Sequence, residues 1–170
     1  NYCTANPNST GLPAVMSVSG SPIITDNNFT LTASQMPNFV FGYFLMAETQ
    51  GFIPNVGGSA GNLCLGFPFY RFSKPPTGTV LSSGSNGTFS FTPNLTNLPQ
   101  GVVFMIGETW DFQAWYRDGA ASTSNFTDGI EVMFRGGGRE RPSPAQRCGF
   151  GEMCEDGAAK KAPGPRSQLW

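Results

Sequence analysis

Apolar and polar positions alternate along most of the chain with the period of β-strands. Phe29, Leu31 and Ala33 stand against Thr30, Thr32 and Ser34, the period of two that sends alternate side chains to opposite faces of a sheet. Ala14–Gly20 (AVMSVSG) mixes apolar and small polar residues in the same way. Val40–Thr49 (VFGYFLMAET) differs, being a nearly unbroken apolar run, the mark of a central strand covered on both faces. Shorter strands are expected at Phe69–Phe72, Thr79–Ser83 and Gly87–Thr92, and further ones at Thr109–Asp118 and Gly129–Phe134. Turn residues divide them: Ser21-Pro22, Asp26-Asn27, Pro37-Asn38, Gly57-Gly58, Pro75-Pro76, Ser85-Asn86-Gly87 and Pro99-Gln100-Gly101. About eight short strands at this spacing predict an all-β chain. The expected fold is an antiparallel β-sandwich, immunoglobulin- or fibronectin-like, with a jelly roll as the alternative. Asn97–Tyr116 resembles the turn into the penultimate strand of such sandwiches, and Gly129–Phe134 is then the last strand.

The pattern stops at Phe134. Residues 135–170 show no period of 2 or 3.6 and are rich in Gly, Ala, Pro and Arg, so a low-complexity, disordered tail is expected after a module of residues 1–134. These are the residues of GC-rich codons, which predicts an out-of-frame or spliced origin for the tail. Charge changes at the same place. Residues 1–134 carry three cations (Arg71, Lys74, Arg117) and seven anions (Asp26, Glu48, Glu108, Asp111, Asp118, Asp128, Glu131), a net charge of −4. Residues 135–170 carry seven cations and four anions, a net charge of +3. Such a shift marks a boundary.

Composition narrows the function. Charged residues are 12% of the chain, about half the usual share of roughly 25%. Histidine is absent, and with it the commonest general base and metal ligand. A net charge of −1 gives no case for nucleic acid or an anionic membrane. No apolar run reaches the length of a membrane-spanning helix. The chain begins with Asn1 rather than Met and reads as a processed or excised piece of a longer one.

Cys3 and Cys64 lie far apart in a chain that reads as exported. They are expected to form a disulfide, two buried free thiols being the rival reading. Cys148 and Cys154 fall in the tail and have too few partners for zinc; a local disulfide or reactive thiols are expected there. Gly57–Asn62 (GGSAGN) lacks the Lys-Ser/Thr ending of a phosphate loop and reads as a flexible connection. Asn-x-Ser/Thr triplets at Asn8, Asn28, Asn86, Asn94 and Asn125 are attributed to chance in a sequence rich in those residues, since a glycan needs a host that adds one.

The densest functional-looking stretch is TWDFQAWYRD, Thr109–Asp118. As a strand it puts Trp110, Phe112, Ala114 and Tyr116 on a core face. Thr109, Asp111, Gln113, Trp115 and Arg117 fall on the other, expected to be solvated. Trp115, flanked by Gln113 and Arg117, is a candidate sugar platform, because planar hydrogen-bonding groups beside an aromatic ring suit stacking on a sugar. Phe69 and Tyr70 are further candidates. No cofactor is expected, although Asp111, Asp118, Asp128 and Glu131 offer the hard oxygen ligands that calcium takes. Catalysis is not expected. A serine nucleophile lacks its histidine, and Asp111 and Asp118 stand at opposite ends of one strand rather than as a hydrolytic pair.

Asn1–Gly11 (NYCTANPNSTG), Phe41–Phe52 (FGYFLMAETQGF), Gly61–Gly66 (GNLCLG), Gly107–Asp118 and Thr123–Phe134 together resemble a module found near the C-terminus of large exported proteins of marine bacteria. The resemblance covers about residues 1–134 and implies a secreted or surface accessory domain, with Cys3 and Cys64 matching its two cysteines. It brings no catalytic residue with it. The chain departs from the pattern at Gly66–Phe72, which is more aromatic, and after Phe134. The function expected is a non-catalytic spacer or attachment module, secreted or at the cell surface. Its partners would be other domains of the same exported protein or surface components. The alternative is a carbohydrate-binding module that uses exposed aromatics on a polysaccharide.

Overall fold

A computed structural model describes residues 1–119 and 123–137. The tail expected to be disordered, with Cys148 and Cys154, lies outside these residues from 138 onward. In chain order the strands are β1 (Val15–Ser19), β2 (Thr30–Ser34), β3 (Phe41–Ala47), β4 (Gln50–Pro54) and β5 (Asn62–Leu65). They continue as β6 (Phe69–Arg71), β7 (Leu81–Ser82), β8 (Phe89–Phe91), β9 (Thr109–Asp118), β10 (Thr123–Phe126) and β11 (Ile130–Met133). No helix among the described residues is long and apolar enough to cross a membrane.

One sheet has the order β1-β2-β8; the other runs β10-β9-β3-β6, with β11 also beside β9 and β7 beside β3. Every strand pairing is antiparallel. Named by position, β1, β2 and β8 are strands A, B and E of an immunoglobulin-like sandwich. β6 and β7 share the C′ position, β3 is C, β9 is F, and β10 with β11 makes a broken G. This is the expected immunoglobulin/fibronectin-like order, and it sets the jelly roll aside. β9 runs from Thr109 to Asp118 as expected.

The core lies between the two sheets. Met16, Leu31, Ala33 and Phe89 meet Phe44, Met46, Trp110, Phe112, Ala114 and Tyr116 there, all buried. Burying one such side chain stabilises by about 1.5–3 kcal/mol. Phe29, Phe104, Phe112 and Phe134 add an aromatic cluster, with Phe104 and Phe134 stacked at 4.2 Å. A side chain at Gly42 would reach within 2.5 Å of the Trp115 carbonyl and 2.8 Å of the Phe89 ring. The bare α-carbon is what lets Phe89 close onto β3.

Three strands were not expected. β4 contains Gly51 and Pro54, β5 is four residues long, and β10 is polar at three of its four positions. β4 and β5 form a hairpin inserted between β3 and β6. It makes a third layer over the outer face of β3 and β9, around Leu45, Ala47, Leu63, Leu65 and Phe126. The second half of the run in β3, Phe44–Ala47, is thus covered on both faces as its pattern predicts, whereas Phe41 is exposed and Tyr43 only half-buried. The described fold extends past Phe134. The Arg135 N–H donates to the Pro22 carbonyl and the Arg135 carbonyl accepts from Ile24, each at 3.0 Å.

Candidate functional site

The outer face of β9 is divided in two. Register places Asp111 beside Ala47 and Glu131, Gln113 beside Leu45, Trp115 beside Tyr43 and Phe126, and Arg117 beside Ser124. The hairpin covers the first two rows. The last two stay open.

Gln113 is 0% exposed. Its Oε1 accepts from the Cys64 N–H at 2.9 Å, and its Nε2 donates to the carbonyls of Asn62 and Thr127 at 2.8 Å each. It therefore pins β5 and the break between β10 and β11 onto β9. This corrects the expectation that Gln113 touches ligand and that its face is solvated: the side chain has no surface to offer. Asp111 is 2% exposed and shares Gln50 Nε2 with Glu131, at 3.3 and 3.1 Å. Burial pushes its carboxyl up and Glu131 adds to this, against the hydrogen bond from Gln50 that acts the other way. The Tyr2 hydroxyl, raised by burial and by the Asp111 charge, donates to the Cys64 carbonyl at 3.1 Å. The Cys3–Cys64 disulfide, with Cα atoms 6.2 Å apart, ties the N-terminal segment to the same hairpin. Across 61 residues such a link contributes roughly 4 kcal/mol in the chain-entropy account.

The open half is different in kind. Trp115 stacks on Tyr43, centroids 4.9 Å apart and planes 30° apart. The Arg117 guanidinium carbon lies 5.4 Å from the Trp115 ring centre, and that of Arg71 lies 5.3 Å from Phe69. These side chains, with Val56–Gly58, Leu63 and Phe126, line a hollow of about 340 Å³. A second hollow of about 520 Å³ shares Phe69 and Arg71 with it and adds Phe67, Lys74, Pro75, Pro99 and Gln100. The second is larger and holds the tilted Phe67–Phe69 pair, but the first holds the stacked Tyr43–Trp115 rings with two arginines, and we take it as the centre of the site. No Asp or Glu among the described residues lines either hollow.

Trp115, Arg117 and Phe69 are thus brought together. Tyr70 is not: it packs on the core side, 6.1 Å from the Trp110 ring. Alternation within β6 demands this, since Phe69 and Arg71 share the outer face. Tyr43, Arg71 and Lys74 were missed. One signal pointed to Arg71, which follows Phe69 by two and so shares its face; Tyr43 is brought to Trp115 only by the β3–β9 pairing.

Of the four carboxylates weighed for calcium, Asp111 and Glu131 are neighbours across β9 and β11, and Asp118 and Asp128 are held by other partners. Asp118 accepts from the Ser9 N–H and from Asn125, while Asp128 accepts from Asn1 and from the Met16 N–H. Among the described residues no three acids, cysteines or histidines gather to hold a metal. Within the GGSAGN segment Gly57 and Gly58 are exposed, and Ser59, Ala60 and Gly61 are fastened to β10. Ser59 Oγ and the Ala60 N–H both donate to the Ser124 carbonyl, and Gly61 is buried against Asn125. Two of the Asn-x-Thr triplets have a structural reason, because Asn8 and Asn94 each accept from the N–H and the hydroxyl of the Thr two residues on. Asn8 and Asn125 are buried, where no glycan has room.

No protein-family model, curated protein or solved structure matches the chain.

Proposed function

We propose that this chain is a non-catalytic module of an exported protein that holds polysaccharide in the Tyr43–Trp115 hollow. The observation that carries the reading is the meeting of Trp115, Tyr43 and Phe69 with two arginines in one open concavity. Sugar rings present apolar C–H faces and a rim of hydroxyls. Aromatic faces meet the first, and planar guanidinium forks held against those rings meet the second. A hollow rather than a flat row of rings suits one glycan chain, and not the face of a crystalline polymer. The disulfide fits an oxidising compartment, in keeping with a secreted or cell-surface protein. The carboxylates that catalysis would call on are engaged in the fold, outside the hollow. The resemblance to accessory modules of exported proteins points the same way.

The test is binding of the full chain to a panel of soluble polysaccharides, with Trp115→Ala beside it. The expected result is retention by at least one polymer, weakened at least tenfold in the variant, which is about 1.4 kcal/mol. Binding by none of the panel favours the second reading, a spacer whose partners are neighbouring domains. That reading draws on the hairpin layer and disulfide, which stiffen the module.

A further inference from the structure

The hollow has a charge that its domain does not. The described residues carry seven acids and four bases; three of the bases, Arg71, Lys74 and Arg117, line the two adjoining hollows with no acid among them, while Arg135 lines another hollow beside Glu131. The acids are used differently. Glu108, Asp111, Asp118, Asp128 and Glu131 accept hydrogen bonds that hold backbone or side chains in place. A net-acidic module that gathers three of its four described cations beside the half-buried rings of Trp115 and Phe69 favours a polyanion most at that place.

We infer that the ligand is an anionic polysaccharide, its sulfate or carboxylate groups meeting Arg71, Arg117 and Lys74 while its sugar faces rest on Trp115 and Phe69. This deepens the reading proposed above and rests on it. Arg71 and Arg117 are exposed and lie against aromatic rings. Each guanidinium is thereby partly ordered before ligand arrives, which lowers the entropy lost on binding. A guanidinium fork takes sulfate or carboxylate through two parallel hydrogen bonds. A neutral glycan offers neither group. The two hollows share Phe69 and Arg71, so a chain crossing both meets Trp115 and Arg117 in the first and Lys74 in the second, with Arg71 common to the two.

One polymer backbone with three charges tests this: dextran, carboxymethyl dextran and dextran sulfate, titrated with the full chain at several salt concentrations. At least one charged derivative is expected to bind tenfold or more tighter than dextran, and to weaken as salt screens the contact. The tighter of the two tells sulfate from carboxylate. Arg71→Gln and Arg117→Gln are each expected to weaken that binding at least fivefold with the β-sheet circular dichroism unchanged. Lys74→Gln, further from Trp115, is expected to weaken it less. Dextran bound as tightly as its charged derivatives overturns the inference and leaves the glycan-binding reading standing. Polyanion binding untouched in all three variants also overturns it, and assigns the attraction to the seven cations of residues 135–170. Absence of binding here and across the wider panel overturns both.

Discussion

Asp111 carries the least comfortable charge in the described fold. It is 2% exposed, faces Glu131, and its carboxyl is raised from the ordinary value of 3.8, chiefly by burial. A carboxyl raised in the folded state binds protons more readily folded than unfolded. Its favourable contribution is complete below the unfolded value and is lost as pH rises through the folded one. At neutral pH the ionised group therefore weakens the fold. Asp111→Asn removes the titration while leaving an amide oxygen to accept from Gln50. The melting temperature of the wild type, relative to this variant, is expected to climb as pH falls from 7 towards 4. Parallel curves for the two proteins would show that Asp111 titrates as in the unfolded chain. Much at this scale was legible in advance. The core assignments of Trp110, Phe112, Ala114 and Tyr116 follow from alternation alone, and all four are buried. Gln113 shows the limit. A polar residue on an outward-facing position reads as solvated, and only the hairpin above it, which has no strong strand pattern, turns it inward.

At the scale of elements the hairpin β4–β5 decides what β9 can do. It covers Asp111 and Gln113 and leaves Trp115 and Arg117 open. Its hold on β9 runs largely through Gln113, whose three hydrogen bonds are wholly buried. Gln113→Leu keeps the volume but strands one N–H and two carbonyls, each costing about 1–3 kcal/mol. A loss of about 3 kcal/mol in urea unfolding is expected, with faster amide exchange in β5 than in β2. A change under 1 kcal/mol would mean that apolar packing, and not Gln113, fastens the layer. The hairpin was hidden in the sequence because β4 holds a glycine and a proline and β5 is short. Long strands with strong patterns, β3 and β9, were plain. Phe69 and Tyr70 were grouped by type when the alternation that placed β9 also separates them.

For the whole molecule, the two-sheet order follows from strand count and turn spacing, whereas the site does not. It depends on which strands become neighbours. Tyr43 and Trp115 are 72 positions apart in the sequence and become partners only through the β3–β9 register. Charge is divided by role: five of the seven acids accept hydrogen bonds that hold the fold, and three of the four described bases line the hollows. Glycan is proposed to sit on Trp115. The chain holds three tryptophans, each with one indole N–H that nuclear magnetic resonance follows separately. The most direct measurement is titration of the labelled full chain with a charged dextran oligosaccharide, with Trp115→Phe to assign the signals. The Trp115 indole signal is expected to move in a saturable way while that of Trp110, buried in the core, stays still. A stationary Trp115 signal during saturable binding, or movement confined to Trp170, would contradict the proposal.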